Sequence, residues 1–153
     1  MYKIDLNMEL LNIIPFAQYL GIKPKNKNHL SLELKPDVHN HIGTLHAAAQ
    51  FTLAETQSGL FLLSLFPDHA EEMMPLLRGS TLKYKQPATT ELTAIATVES
   101  ESKEKFMRQY LRRGKAVLTI EVELKDNHGV TTMVSEFSWY VQRSLCTKSR
   151  IGE

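Results

Sequence analysis

Residues 42–67 carry one formal charge, Glu55, among apolar and small polar residues. From about Leu45 onward the apolar positions fall on every face of a helical wheel. That pattern predicts a long helix buried nearly all round. Thr44 stands where an N-cap belongs. Gly59 weakens the helix, and Pro67 ends it or begins a second piece.

The flanking patterns are shorter. Residues 7–20 place Leu10, Leu11, Ile14 and Leu20 on one helical face, with Asn7 as cap, Gly21 as stop and Pro15 as a kink or break. Residues 29–35 alternate apolar and polar, which predicts a strand with one buried face. Residues 36–44 form a loop into the long helix. After it, 68–78 read as one or two helical turns and 79–86 as a strand with Pro87 at its exit. Residues 90–100 alternate again. Residues 102–113 are helical, capped by Ser102 and stopped by Gly114. A strand over 115–125 has Ala116, Leu118, Ile120, Val122 and Leu124 on one face, and a turn at 126–129 returns the chain as a strand over 130–142. The order predicts an α+β fold in which a curved antiparallel sheet wraps one long helix. A single domain over 5–142 and a polar tail over 143–153 account for the chain.

Composition narrows the function classes. A chain of 153 residues suits one domain with a sizeable core, and the net charge of +1 provides no field for nucleic acid or anionic membrane. One cysteine, Cys146, rules out an intrachain disulfide and favours a reducing compartment. Gln50, Glu55, Gln57 and His46 make 42–67 too polar to span a membrane. The N-terminus lacks the basic and apolar regions of a signal peptide. A soluble, cytoplasmic protein is expected.

The long helix suggests chemistry. Its start offers unpaired N–H groups at the positive end of a dipole, and Ala47, Ala48 and Ala49 are small enough for a ligand carbonyl to approach. Glu55 lies further along, in line with Ala48 and Thr52, where a carboxylate can activate water or attack a carbonyl carbon. Eight residues separate Ala47 from Glu55, about 12 Å of rise. Groups acting on one carbonyl must lie within about 3–4 Å of it. If both act, two chains must run these helices antiparallel, each completing the other's site in a symmetric dimer. The competing explanation is structural: Glu55 bonded to a strand, and His46 capping its own helix. His39, His41 and His46 lack a carboxylate or cysteine to complete a metal shell, so no metal is expected.

The run Asn40-His41-Ile42-Gly43-Thr44-Leu45-His46-Ala47-Ala48, followed by Phe51-Thr52-Leu53-Ala54-Glu55, resembles the hotdog-fold thioesterases, in particular the PaaI-like branch and the DUF4442 group with the YiiD C-terminal domain. The resemblance covers roughly residues 5–142. It implies a hotdog fold, a homodimer (with a tetramer also open), and sites at the subunit interface. It implies Glu55 as catalytic acid, Asn40 positioning water or thioester, His46 at the helix start, and the Ala47 N–H polarising the thioester carbonyl. Gly43, Ala48 and Thr52 would line the substrate. The substrate implied is an acyl thioester of coenzyme A or of acyl carrier protein, cleaved to acid and thiol without a further cofactor. Lys83 and Lys85, or Arg112 and Arg113, would meet the phosphates of coenzyme A. Two departures stand out. Alanine occupies positions 47 and 48, where many relatives have glycine. Leu77 falls where some relatives place a Ser or Thr, with Ser80 and Thr81 close but out of register. A thioester-binding module without catalysis, or a 3-hydroxyacyl-thioester dehydratase, are the alternatives.

Overall fold

A computed structural model describes residues 8–144. The Asn7 cap, Cys146 and nearly all of the polar tail lie outside these residues. The elements are α1 (Met8–Asn12), α2 (Pro15–Leu20), β1 (Lys23–Pro24), β2 (Leu30–Leu32), α3 (Ala47–Ser64), β3 (Met73–Tyr84), β4 (Leu92–Thr97), α4 (Ser100–Arg113), β5 (Lys115–Lys125) and β6 (Thr131–Arg143). Six strands form one antiparallel sheet in the order β1-β2-β4-β5-β6-β3. The sheet wraps α3, as the hydrophobic pattern predicted. Leu53, Ala54 and Leu62 on the helix are fully buried, as are Leu92, Ile120, Leu124 and Phe137 from the strands.

Several boundaries move. Pro15 breaks the first helix in two and becomes the first residue of α2. The strand expected over 29–35 is only Leu30–Leu32, and all three residues are buried. Ser31 joins Leu30 and Leu32 inside because strands lie on both sides of it, Lys23 and Thr93 being its register partners. The long helix begins at Ala47, and its cap is His46 instead of Thr44. It stops at Ser64, ahead of Pro67. The helical turns expected over 68–78 shrink to a single 3-10 turn at Ala70–Glu72. There β3 begins, six residues early, because β6 is long enough to pair with it from Arg143 onward. Pro75 is compatible with this, since β3 is an edge strand. Helix α4 also starts early, at Ser100, and ends at Gly114 as expected.

Buried polar side chains clamp the helix to the sheet. Gln57 is fully buried; its Oε1 accepts from Leu30 N (2.7 Å) and its Nε2 donates to Asn28 O (2.9 Å). Trp139 Nε1 donates to Ser58 Oγ (2.9 Å), and that hydroxyl donates to Glu55 O (2.7 Å). Gly59 lies beside this pair, where an added Cβ would come within 3.2 Å of the Trp139 ring. No helix among the described residues is long and apolar enough to cross a membrane.

Candidate functional site

The loop before α3 is organised by Asn40. Its Oδ1 accepts from Ile42 N (3.1 Å) and Thr44 N (3.0 Å), and its Nδ2 donates to Thr44 Oγ1 (2.7 Å). Gly43 holds φ at +77°, the left-handed conformation that favours glycine. Both lone pairs of the Asn40 oxygen are thus engaged with its own loop. One N–H of the amide is left for a ligand or water.

The loop delivers the chain to the helix start. Leu45 N donates to Ala88 O (3.0 Å) and His46 N to Val38 O (2.8 Å), so the entry is pinned from two sides. His46 Nδ1 accepts from Ala48 N (2.9 Å). That bond assigns the imidazole proton to Nε2, and His46 does cap its own helix. It also occupies the Ala48 N–H. The Ala47 N–H, first of the helix, has no intrahelical acceptor. From the sheet side, Tyr84 OH donates to Ala47 O (2.9 Å). Asn40, Ala47, Gln50, Tyr84 and Lys85 line a cleft of about 300 Å³ at this point.

Along α3 beyond its first turn, the incompletely buried positions are Phe51, Glu55, Gly59, Leu63 and Ser64. Residues 47, 51, 55, 59 and 63 are each four apart, so they form one stripe. The line through Glu55 therefore runs through Phe51 and Ala47. Thr52, expected on that line, is buried, and its hydroxyl donates to Ala48 O (2.9 Å). The Glu55 carboxylate is half-buried and makes no hydrogen bond or ion pair among the described residues, and burial pushes its pKa up. The strand bond that a structural explanation of Glu55 called for is absent among these residues.

The stripe meets the edge of the sheet where the edge is irregular. Phe51 packs edge-on to Phe137 with centroids 5.6 Å apart, and Gly59 abuts Trp139. On β3, Ser80 is the register partner of Phe137 and Leu77 that of Trp139, with Arg78 as the extra residue of a bulge. Glu55 lies between Phe51 and Gly59 on the same stripe. The bulge also resets the alternation: Leu77, Ser80, Leu82 and Tyr84 all share the helix-facing side. Ser80, which counting along the sequence placed out of register, thus has its hydroxyl on the side of Glu55. Gly79, a glycine inside a strand pattern, was the available signal.

The remaining candidates disperse. Lys85 reaches the cleft, but Lys83 lies on the outer face of the sheet, in a separate cavity of about 520 Å³ with Glu121 and Glu136. Arg112 sits on α4 beside Lys105 and Arg108, and Arg113 follows it at the helix end. His41 is exposed, and no group of three or more His, Cys, Asp or Glu suited to a metal occurs among the described residues. Phe51, Tyr84 and Gln50 are site neighbours to which sequence reasoning gave no role, and Ser80 is one that it set out of register.

Comparisons with known proteins agree with this architecture. PA5026 from Pseudomonas aeruginosa, described as a probable thioesterase, is 25% identical with a TM-score of 0.76, over 93% of this chain and 99% of that one. The thioesterase HI1161 from Haemophilus influenzae is 16% identical with a TM-score of 0.71, over 97% and 96%. BH2602 from Bacillus halodurans, crystallised with CoA, is 20% identical with a TM-score of 0.68, over 88% and 80%. No curated protein matches in sequence. The fold is the hotdog fold, shared with these structures. The model of the domain of unknown function DUF4442 matches residues 17–141, and the chain belongs to that family.

Proposed function

We propose that this protein hydrolyses acyl thioesters of coenzyme A at two equivalent sites of a homodimer. The observation that carries the reading is the open stripe of α3, which holds an exposed helix start at Ala47 and an unpartnered, half-buried carboxylate at Glu55. Two such stripes side by side and antiparallel would bring Ala47 of one subunit to Glu55 of the partner subunit. The thioester oxygen would rest on the Ala47 N–H, and Glu55 would draw a proton from a water as its oxygen attacks the carbonyl carbon. The C–S bond then breaks, acid is released, and the proton passes to the thiolate. Ser80, on the same side as Glu55, would hold that water, with the free N–H of Asn40 on the thioester. Lys85 at the cleft mouth suits a phosphate of the coenzyme. The names of the structural neighbours support this reading, as does the CoA bound to BH2602.

A panel of acyl-CoAs with a thiol-detecting reagent tests it. Thiol release from at least one member, lost in Glu55→Gln with the fold intact by circular dichroism, is expected. Unchanged release in Glu55→Gln would remove Glu55 from the mechanism. A second reading, in which the protein binds thioesters without cleaving them, draws on Ala47 and Ala48, whose methyl groups narrow the approach. Thermal stabilisation by acyl-CoAs without thiol release would establish it instead.

A further inference from the structure

Two glutamines in α3 are buried to a similar degree and treated differently. Gln57 is fully buried and paired at both ends of its amide. Gln50, only 4% exposed, is paired at one: Nε2 donates to Leu45 O (2.9 Å), while Oε1 has no partner among the described residues. The Leu45 bond fixes which way the amide points, because a flipped amide would set carbonyl against carbonyl. Gln50 lines the cleft at the helix start together with Ala47 and Tyr84. A buried acceptor left unpaired is uncommon and destabilising, which makes it a mark of something the chain alone does not supply.

We propose that Gln50 is a specificity-determining residue of this cleft, its side-chain oxygen accepting a hydrogen bond from an N–H or O–H that the bound ligand carries close to its thioester carbonyl. The inference rests on the thioester reading of the cleft. An amide oxygen can only accept, and a thioester group has no donor, so the partner lies elsewhere in the ligand. Gln50 is three residues past Ala47, about 4.5 Å of rise, so the donor lies a few atoms from the carbonyl. Two groups of an acyl-CoA meet that condition. One is the pantetheine amide nearest the sulfur; the other is a hydroxyl at C2 or C3 of the acyl chain. The terminal torsion of a glutamine is soft, so a small rotation of the whole amide brings the oxygen to such a donor within the angular tolerance of the Leu45 bond.

Calorimetric titration with carba(dethia) ketones tests this, since a methylene in place of sulfur prevents hydrolysis and keeps the carbonyl. One pair compares butanoyl with 3-hydroxybutanoyl on the CoA analogue. The other compares a truncated ketone ending in the pantetheine-type amide with its ester counterpart, which lacks the N–H. The wild type should hold the donor-bearing member of at least one pair roughly five- to tenfold more tightly. Gln50→Met, close in volume, should erase that preference, and Gln50→Glu, held protonated by burial so that its O–H donates to Leu45 O and its C=O accepts, should keep it. A hydroxyl preference places the donor on the acyl chain, an amide preference on the carrier. No preference in the wild type would assign the oxygen to an enclosed water and overturn the proposal. So would a preference that survives Gln50→Met, or no binding by any of the ketones. Because only binding is read, the preference in a protein that hydrolyses nothing would sink the thioesterase reading alone. Hydrolysis without the preference would sink only this one.

Discussion

Glu55→Gln separates two effects at one residue. Burial raises the carboxyl's pKa, so between its ordinary value of 4.5 and the raised one the folded state binds the proton that the unfolded state has released. The associated stability is full below 4.5 and is lost as pH rises through the raised value. Glutamine carries no such loss. The variant should therefore melt higher than the wild type at neutral pH and no higher below pH 4.5, as read by thermal scans across that range. Its hydrolysis should fall by a factor on the order of 10²–10⁴. In the wild type, hydrolysis should decline as pH drops through the same raised value, because the base is lost on protonation. Ser80→Ala, which removes the hydroxyl proposed to hold the water, should lower kcat by about five- to tenfold with KM little changed. At this scale Glu55 was legible as the lone charge in an apolar run, and Ala47 as a small residue at a helix start. Ser80 was not, because its side of the strand depends on the bulge at Arg78, which counting along the chain passes over. Gln50 was legible only as a polar residue in a buried helix; which of its two ends goes unpaired depends on where the Leu45 carbonyl points.

Among the elements, α3 is held by contacts that leave little slack. Gly59→Ala should gain about 1 kcal/mol of helix propensity and lose about 1–3 kcal/mol to crowding. The Trp139 ring, 3.2 Å from the new methyl and tied by Nε1 to Ser58, would have to give by a few tenths of an ångström. A net loss of about 1 kcal/mol, seen as a lower urea midpoint, is expected; an unchanged or higher midpoint would mean that the ring yields freely. The elements whose pattern is self-contained were read well from sequence. Strand β5 alternates along its whole length, and its hairpin to β6 follows from the turn residues. Those that depend on a distant partner were not. Residues 73–78 carry methionine and leucine, good helix formers, yet they extend as strand because β6 runs alongside them. The cap moved from Thr44 to His46 for a similar reason: Asn40 already engages Thr44 through both its backbone and its hydroxyl.

At the scale of the whole molecule, β3 runs twelve residues along the edge of the sheet and exposes Met74, Leu76 and Leu77. A long apolar edge is a template for pairing, and an antiparallel copy of itself would continue the sheet. Leu77→Lys should convert the proposed dimer to monomer in light scattering and abolish the proposed hydrolysis together with it, while far-ultraviolet circular dichroism stays the same. A dimer that survives this change would move the interface elsewhere.

The eight-residue spacing of Ala47 and Glu55 on one stripe makes this proposed enzyme open to complementation between defective subunits. Ala47→Pro removes the N–H at a helical position that tolerates proline, and Glu55→Gln removes the base. Each variant alone should be inactive. Mixed in equal amounts after dissociation and reassembly, half of the dimers would be hybrids, and each hybrid would hold one wild-type pair and one doubly defective pair. Activity should return to about a quarter of the wild-type value, a figure set by the two-fold axis alone. Were both groups to act within one chain, the mixture would remain as inactive as its parts.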